Sequence, residues 1–330
     1  MAPEKKIAYI IGTGSCVPER ILTNAELEKT VDTSDEWIVA RTGIKERRIG
    51  GPDETTSFLA TAAARKALQD ARIGPEKVQL IIVATFTGDM LMPATACLVQ
   101  KNIGAPQAAA FDISAACTGF IYALSVAKHF VISGSYDYVL VIAAEKLSSV
   151  TDWADRNTCV LFGDGAGAAV VSSEQRGPKI VDEYLAADGS IYELLFVPGG
   201  GCLHPASHES VDQRMHFVKM SGREVFKHAI NSMIEAASRL IERYNLSPDD
   251  VRLLVPHQAN KRIIAEVGRN LGIPEERIYI NIERYGNMSA ATTAVGMDEG
   301  LRSNQFKPGD KILLVAFGGG FTWGSVLLEW

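Results

Sequence analysis

The sequence predicts an α/β protein built from two halves of one repeated topology, each a mainly parallel sheet covered by helices. Short strand-like runs alternate with amphipathic helical stretches along the whole chain, the pattern that produces such a sheet. Equivalent segments recur in the same order in both halves. A length of 330 residues, with 47% hydrophobic and 22% charged side chains, suffices for about two domains or one large domain with a continuous core.

The expected strands are Lys6–Ile11, Gln79–Thr85, Ala109–Ile113, Tyr138–Ala143, Gly167–Ser172, Arg252–Pro256, Arg277–Asn281, Lys311–Ala316 and Gly324–Glu329, mostly short apolar runs bounded by turn residues. Between them the spacing predicts helices over Ser57–Ala71, Cys117–Ser133, Gly222–Tyr244, Lys261–Leu271 and Ser289–Leu301. The repeat starts where residues 73–84 are answered by residues 246–257, with Pro75 matching Pro248, Val78 matching Val251 and Leu80 matching Leu253. Asn102 to Pro106 then pairs with Asn270 to Pro274, Tyr138–Ala143 with Lys311–Ala316, and the strand after Gly165 with the strand after Trp323. Four matches in one order imply two halves, residues 1–175 and 176–330, joined near Glu174–Lys179 and burying a shared interface. Equivalent loops then converge on one central site, so reactive side chains are sought at matching strand ends.

Lys and Arg total 33 against 39 Asp and Glu, a net charge of −6 that argues against a general nucleic-acid coat. Cys16, Cys97, Cys117, Cys159 and Cys202 form no C-x-x-C pair, so neither a disulfide framework nor a thiolate metal site is expected, and a reducing compartment fits. The apolar run Ile7 to Ile11 is too short for a signal core, and no segment approaches about 18 uninterrupted apolar residues. A soluble, cytoplasmic protein without membrane association is expected.

Cys117 follows the strand Ala109–Ile113 and a turn of small residues, and opens a helix. That position offers the thiol a positive dipole end and free N–H groups, which lower its pKa and suit a nucleophile. The alternative is a small cysteine packed between strand and helix. His257 ends its strand where ligands bind in open α/β sheets, against the alternative of a structural histidine. Asn287, in Tyr-Gly-Asn-Met-Ser, reads either as a turn with a helix cap or as an amide donor aimed at an oxyanion. The run from Phe317 to Gly324 cannot be a strand; it reads as a loop whose N–H groups face a reacting centre. Gly12-Thr-Gly-Ser lacks the third glycine and the helix of a dinucleotide site, and Gly163-Asp-Gly-Ala-Gly lacks the Gly-Lys-Ser/Thr of a phosphate loop.

Ala115-Ala-Cys117-Thr-Gly-Phe, Pro256-His257-Gln-Ala-Asn260, Tyr285-Gly-Asn287 and Phe317-Gly-Gly-Gly-Phe-Thr-Trp-Gly-Ser, with Thr33 to Ile44 and Phe162-Gly-Asp-Gly-Ala-Gly, resemble β-ketoacyl-acyl-carrier-protein synthase III from about Ile7 to the last residue. The resemblance implies a thiolase-like fold, two pseudo-two-fold-related βαβαβαββ halves in five layers, α-β-α-β-α. It implies an acyltransferase in which Cys117 takes an acyl group from acyl-CoA, the oxyanion being held by the N–H groups of Cys117 and Gly319. Malonyl-acyl-carrier protein then decarboxylates, its enolate held by His257 and Asn287, with Phe317 excluding water from the carboxylate. By the same resemblance Trp37 stacks on the adenine with Arg156 on its other face, Arg41 and Arg262 help bind CoA, and Gly222, Phe226 and Asn260 line the pantetheine tunnel. Met92 stands where the partner of a homodimer plugs the acyl pocket. CoA is then a substrate, with no metal or resident cofactor. Acetyl-CoA and the start of fatty-acid synthesis are the leading expectation, and a starter enzyme of a polyketide or quinolone pathway is the alternative. Met288 departs from the Thr frequent in the family after the catalytic Asn.

Overall fold

The structure, a computed structural model, describes residues 6–330. The interior strands Leu80–Ala84, an apolar run, and Asp164–Ser172, mostly small residues, are buried at every position, as strands covered on both faces must be. Among the described residues nine strands make one sheet. Its order is Val251–Pro256, Lys311–Gly318, Thr322–Glu329, Lys179–Ala187, Tyr9–Cys16, Asp164–Ser172, Tyr138–Lys146, Leu80–Ala84 and Ala109–Ile113. Outward from the junction of Tyr9 with Lys179, each half gives its first, fifth, fourth and second strand in turn. In the first half Ala109–Ile113 follows as the third; in the second, a single bridge from Leu254 to Ile278 holds that place.

The two halves enclose a shared core. Phe120, Leu124 and Ala127 of the helix Gly119–Ile132 and Ala294 and Met297 of the helix Ala291–Ser303 pack between Leu80 and Val141 on one side and Val255 and Leu314 on the other. Alternate residues of the same strands, Ile81, Val83 and Leu140, face the helix Thr56–Ala71 through Leu59, Ala63 and Ala67. Leu254, Leu313 and Leu327 likewise face Met233 and Leu240 of Gly222–Arg243 and Val267 of Lys261–Leu271. The layering is therefore α-β-α-β-α. No helix among the described residues is long and apolar enough to cross a membrane.

Four expectations are corrected. The sheet is mixed: only the pairings of Leu80–Ala84 with its two neighbours and of Val251–Pro256 with Lys311–Gly318 are parallel. The first strand is Tyr9–Cys16 instead of Lys6–Ile11, because its glycines mark close approach and not a turn; a Cβ on Gly12 would lie 2.4 Å from the Ala71 backbone nitrogen. Arg277–Asn281 forms no ladder, because the Gln258 side chain takes its backbone groups, accepting from the N–H of Asn281 and Ile282 and donating to the Tyr279 carbonyl. Lys179–Ala187, just after the expected joint, is a strand, and its Asp182 and Glu183 pair with Arg243 and Lys128.

Candidate active site

The sequence places small residues around Cys117, and the backbone there is crowded. Cys117 sits in the single 3-10 turn Ala116–Thr118 ahead of the helix Gly119–Ile132, with Ala116 at φ +43°. Lys311–Gly318 and Thr322–Glu329 form a hairpin over this turn, with Phe317 opposite Trp323 and Gly318 opposite Thr322. The glycine-rich run is thus largely strand, contrary to the loop expected, and only residues 319–321 turn. Glycine is required where the hairpin crosses: a Cβ on Gly318 would stand 2.6 Å from the Cys117 nitrogen. The Thr322 hydroxyl donates to the Ala115 carbonyl at 3.1 Å and the Thr118 hydroxyl to the Thr322 carbonyl at 3.0 Å, clamping the turn to the hairpin.

A cavity of about 260 Å³ opens in front of this turn, lined among others by Cys117, His257, Asn287, Phe317 and Gly319. Residues from four distant chain segments thus meet in one space. Phe317 is buried and packs edge-on against Phe321, ring centroids 4.7 Å apart, making a rigid apolar wall.

His257 follows the strand Val251–Pro256, and its N–H donates to the Val315 carbonyl at 2.7 Å. Its Nδ1 lies 2.5 Å from the Thr292 Oγ1, which itself donates to the Ser289 carbonyl at 2.8 Å. Since that hydroxyl has one proton, the hydrogen-bond pattern assigns the imidazole proton to Nδ1 and leaves Nε2 as an acceptor. Burial pushes the His257 pKa down to about 3, so the ring is neutral.

Asn287 is held from both sides of its backbone, its N–H donating to the Leu161 carbonyl at 2.8 Å and its carbonyl accepting from Gly163 N–H at 3.0 Å. Its Oδ1 accepts from Ser289 N–H at 2.8 Å, so Nδ2 is the amide atom left to donate. The side chain makes a local turn but caps no helix, since Ala290 stands at the N-cap of the helix that follows. The helix itself begins at Ala291, two residues later than expected.

The lowered pKa expected for Cys117 is overturned. Burial pushes the thiol up to about 12, the nearby Ser289 hydroxyl acts in the opposite direction, and the charge of Glu145 raises it further. Burial outweighs one short turn's dipole. Glu145 and Ser289 escaped the sequence analysis. Glu145 is a fully buried carboxyl accepting from the hydroxyls of Thr85 and Thr87, and burial pushes its pKa up to about 7. An acidic residue ending an apolar strand run was the available signal.

Around the mouth, Trp37 lies on the helix Asp35–Thr42, with the Arg156 and Arg41 guanidinium carbons 4.7 and 5.2 Å from its ring centroid. Asn260 caps the helix Lys261–Leu271 and donates to the Arg41 carbonyl at 2.9 Å, tying Trp37's helix to the cavity wall. Gly222, Phe226 and Asn260 line the cavity, whereas Arg262 lies outside it, 5.2 Å above the Phe226 ring. Met92 is not among the lining residues of this chain's cavity; it is 83% exposed beside Leu91 at 96%.

Residues 111–189 match the family described as 3-oxoacyl-[acyl-carrier-protein] synthase III, and residues 241–330 match its C-terminal part. A β-ketoacyl-[acyl-carrier-protein] synthase III of Caldanaerobacter subterraneus subsp. tengcongensis is 54% identical over 327 residues, 99% of each chain. The crystal structure of the 3-oxoacyl-[acyl-carrier-protein] synthase III of Aquifex aeolicus is similar with a TM-score of 0.90 and 49% identity, covering 98% of this chain and 100% of that one. The priming β-ketosynthase of the R1128 polyketide pathway is similar with a TM-score of 0.91 and 35% identity, covering 100% of this chain and 98% of that one.

Proposed function

Because this chain belongs to the β-ketoacyl-acyl-carrier-protein synthase III family, an acyltransferase family with the thiolase fold, we propose that it condenses an acyl-CoA primer with malonyl-acyl-carrier protein through an acyl-Cys117 intermediate. The observation that carries this reading is the single cavity lined by Cys117, His257, Asn287 and Gly319.

The thiol is largely un-ionised, so its proton moves as sulfur attacks the thioester. Nε2 of neutral His257 accepts that proton and returns it to the departing CoA thiolate. The N–H groups of Cys117 and Gly319 hold the carbonyl oxygen while it carries charge. Loss of CO₂ from the malonyl group then leaves an enolate, and the cycle consumes one proton from solvent. That proton rides on Nε2 of His257, drawn there by the malonyl carboxylate. Nε2–H and the Asn287 amide donate to the enolate oxygen while its carbon attacks the acyl-Cys carbonyl. The carbon–sulfur bond breaks, and His257 passes its proton to the Cys117 sulfur. Phe317 keeps the malonyl carboxylate dry, which favours its conversion to neutral CO₂.

Trp37 and its two arginines are the adenine and phosphate end of the CoA site, with Gly222, Phe226, Asn260 and Arg262 along the arm. Acetyl-CoA and fatty-acid initiation are the leading reading, beside a 54% relative named a β-ketoacyl-[acyl-carrier-protein] synthase III; the 35% likeness to a polyketide priming enzyme keeps a secondary-metabolite starter as the second reading. Intact-protein mass after incubation with a panel of acyl-CoAs decides between them, together with product analysis. Acetyl transfer as the fastest step supports the first reading, exclusive use of longer or branched primers supports the second, and no acyl adduct at all removes both. In the same assay Trp37→Ala should raise KM for acyl-CoA on the order of 10-fold with little change in kcat, as loss of base stacking does. An unchanged KM would remove Trp37 from the site.

The protein acts as a homodimer in this reading. The exposed Met90, Leu91 and Met92 form an apolar tip that a second copy would cover, with Met92 reaching the partner's acyl pocket. Sedimentation as a fully active monomer would exclude this.

A further inference from the structure

The geometry points to Ser289 as a further catalytic residue, whose hydroxyl donates to the Cys117 sulfur whenever that sulfur carries negative charge. The inference rests on the acyl-Cys117 reading above. Four observations converge on Ser289. It is 1% exposed yet lines the cavity beside Cys117. Its hydroxyl is buried without a hydrogen-bond partner among the described residues, and a buried donor left idle is costly unless something in the reaction uses it. Its backbone is at φ +49°, a strained conformation for a residue with a side chain, and such strain clusters at functional sites. Finally, its backbone is tied to two other polar elements of the site, its N–H to the Asn287 Oδ1 and its carbonyl to Thr292, the hydroxyl next to His257.

Ser289 and Cys117 line the same cavity, and a hydroxyl donor there acts to favour the thiolate. The other ionisable groups around the sulfur do not take that part. Glu145, behind it on Tyr138–Lys146, opposes a thiolate by charge, and His257 is neutral in the empty site. The hairpin side presents Phe317 and Gly319, which cannot ionise. The sulfur bears charge twice in each cycle, first as it attacks the primer thioester and again when the carbon–sulfur bond of the acyl-enzyme breaks and the electron pair returns to it. One hydroxyl donor serves both moments, and no proton is transferred to or from Ser289. A hydrogen bond to a charged group predicts a loss of roughly 10-fold or more in each half-reaction on its removal.

The test is the pH dependence of Cys117 alkylation by iodoacetamide, mapped by peptide mass to separate it from exposed Cys97 and Cys202, in wild-type protein, Ser289→Ala and Ser289→Gly. Both variants should alkylate at Cys117 about 10-fold more slowly at neutral pH, with the profile displaced upward by about one pH unit. Primer acylation and ketoacyl release should slow together. Glycine relieves the positive φ, so it guards against misfolding and separates the hydroxyl from backbone strain. A wild-type alkylation profile in folded Ser289→Ala overturns the inference, as does a loss in the alanine variant that glycine restores. If wild-type protein forms no acyl adduct, the parent reading fails, while the alkylation profile still judges Ser289.

Discussion

Cys117→Ser is expected to abolish acyl transfer while leaving the fold intact. Burial pushes the Cys117 thiol well above its ordinary range, so attack depends on His257 taking the proton during the step. A serine hydroxyl is harder still to ionise and is a poorer nucleophile toward a thioester, and loss of a nucleophile typically costs on the order of 10⁶-fold. The substitution replaces one small buried group by another, so the helix Gly119–Ile132 and the core around Phe120 and Leu124 have no reason to move. Intact mass after incubation with acetyl-CoA measures the outcome directly. Normal acylation of the serine variant, or an adduct mapping to Cys16, Cys97, Cys159 or Cys202 in wild-type protein, would remove Cys117 from its role.

The sequence exposed this site because its chemistry-bearing residues sit where strands end. Cys117 and His257 stand beyond apolar runs that a periodicity reading finds, and the repeat told which ends would meet. What stayed hidden depended on side chains standing in for backbone. Gln258 satisfies the segment from Tyr279 to Ile282, so a segment with a strand's composition makes only one bridge. The glycines from Gly318 read as loop because their use, letting a hairpin cross the Cys117 turn, exists only once both halves are folded. Lys179–Ala187 was missed because its partly buried surface carries charges whose partners lie on two other helices. The direction of the Cys117 pKa differs for a related reason: a helix terminus is visible in sequence, whereas the burial of the thiol is a property of the packed halves. Ser289 illustrates the same limit, since it reads as an ordinary helix-start serine until its hydroxyl is seen without a partner.

Asn287→Ala and His257→Ala are expected to separate the two half-reactions. The Asn287 amide has its oxygen committed to Ser289 N–H and only Nδ2 to offer, and in the proposed cycle a donor there meets charge on the enolate alone. Asn287→Ala should therefore acylate at close to the wild-type rate and lose roughly 10²-fold or more in malonyl decarboxylation and condensation, the usual effect of deleting one oxyanion donor. His257 is different, because its Nδ1 proton is engaged by the Thr292 hydroxyl and its Nε2 is a free base in the resting site. It takes the Cys117 proton in the first step and carries a solvent proton to the enolate and then to sulfur in the second. His257→Ala should thus lose both steps, acylation included, with the acylation loss shrinking as pH rises and more of the thiol ionises unaided. Radiolabelled acyl transfer and CO₂ release, measured separately across pH, test each half. Equal losses in both steps for Asn287→Ala would refute its assignment to the enolate, and wild-type acylation in His257→Ala would show that Cys117 loses its proton by another route.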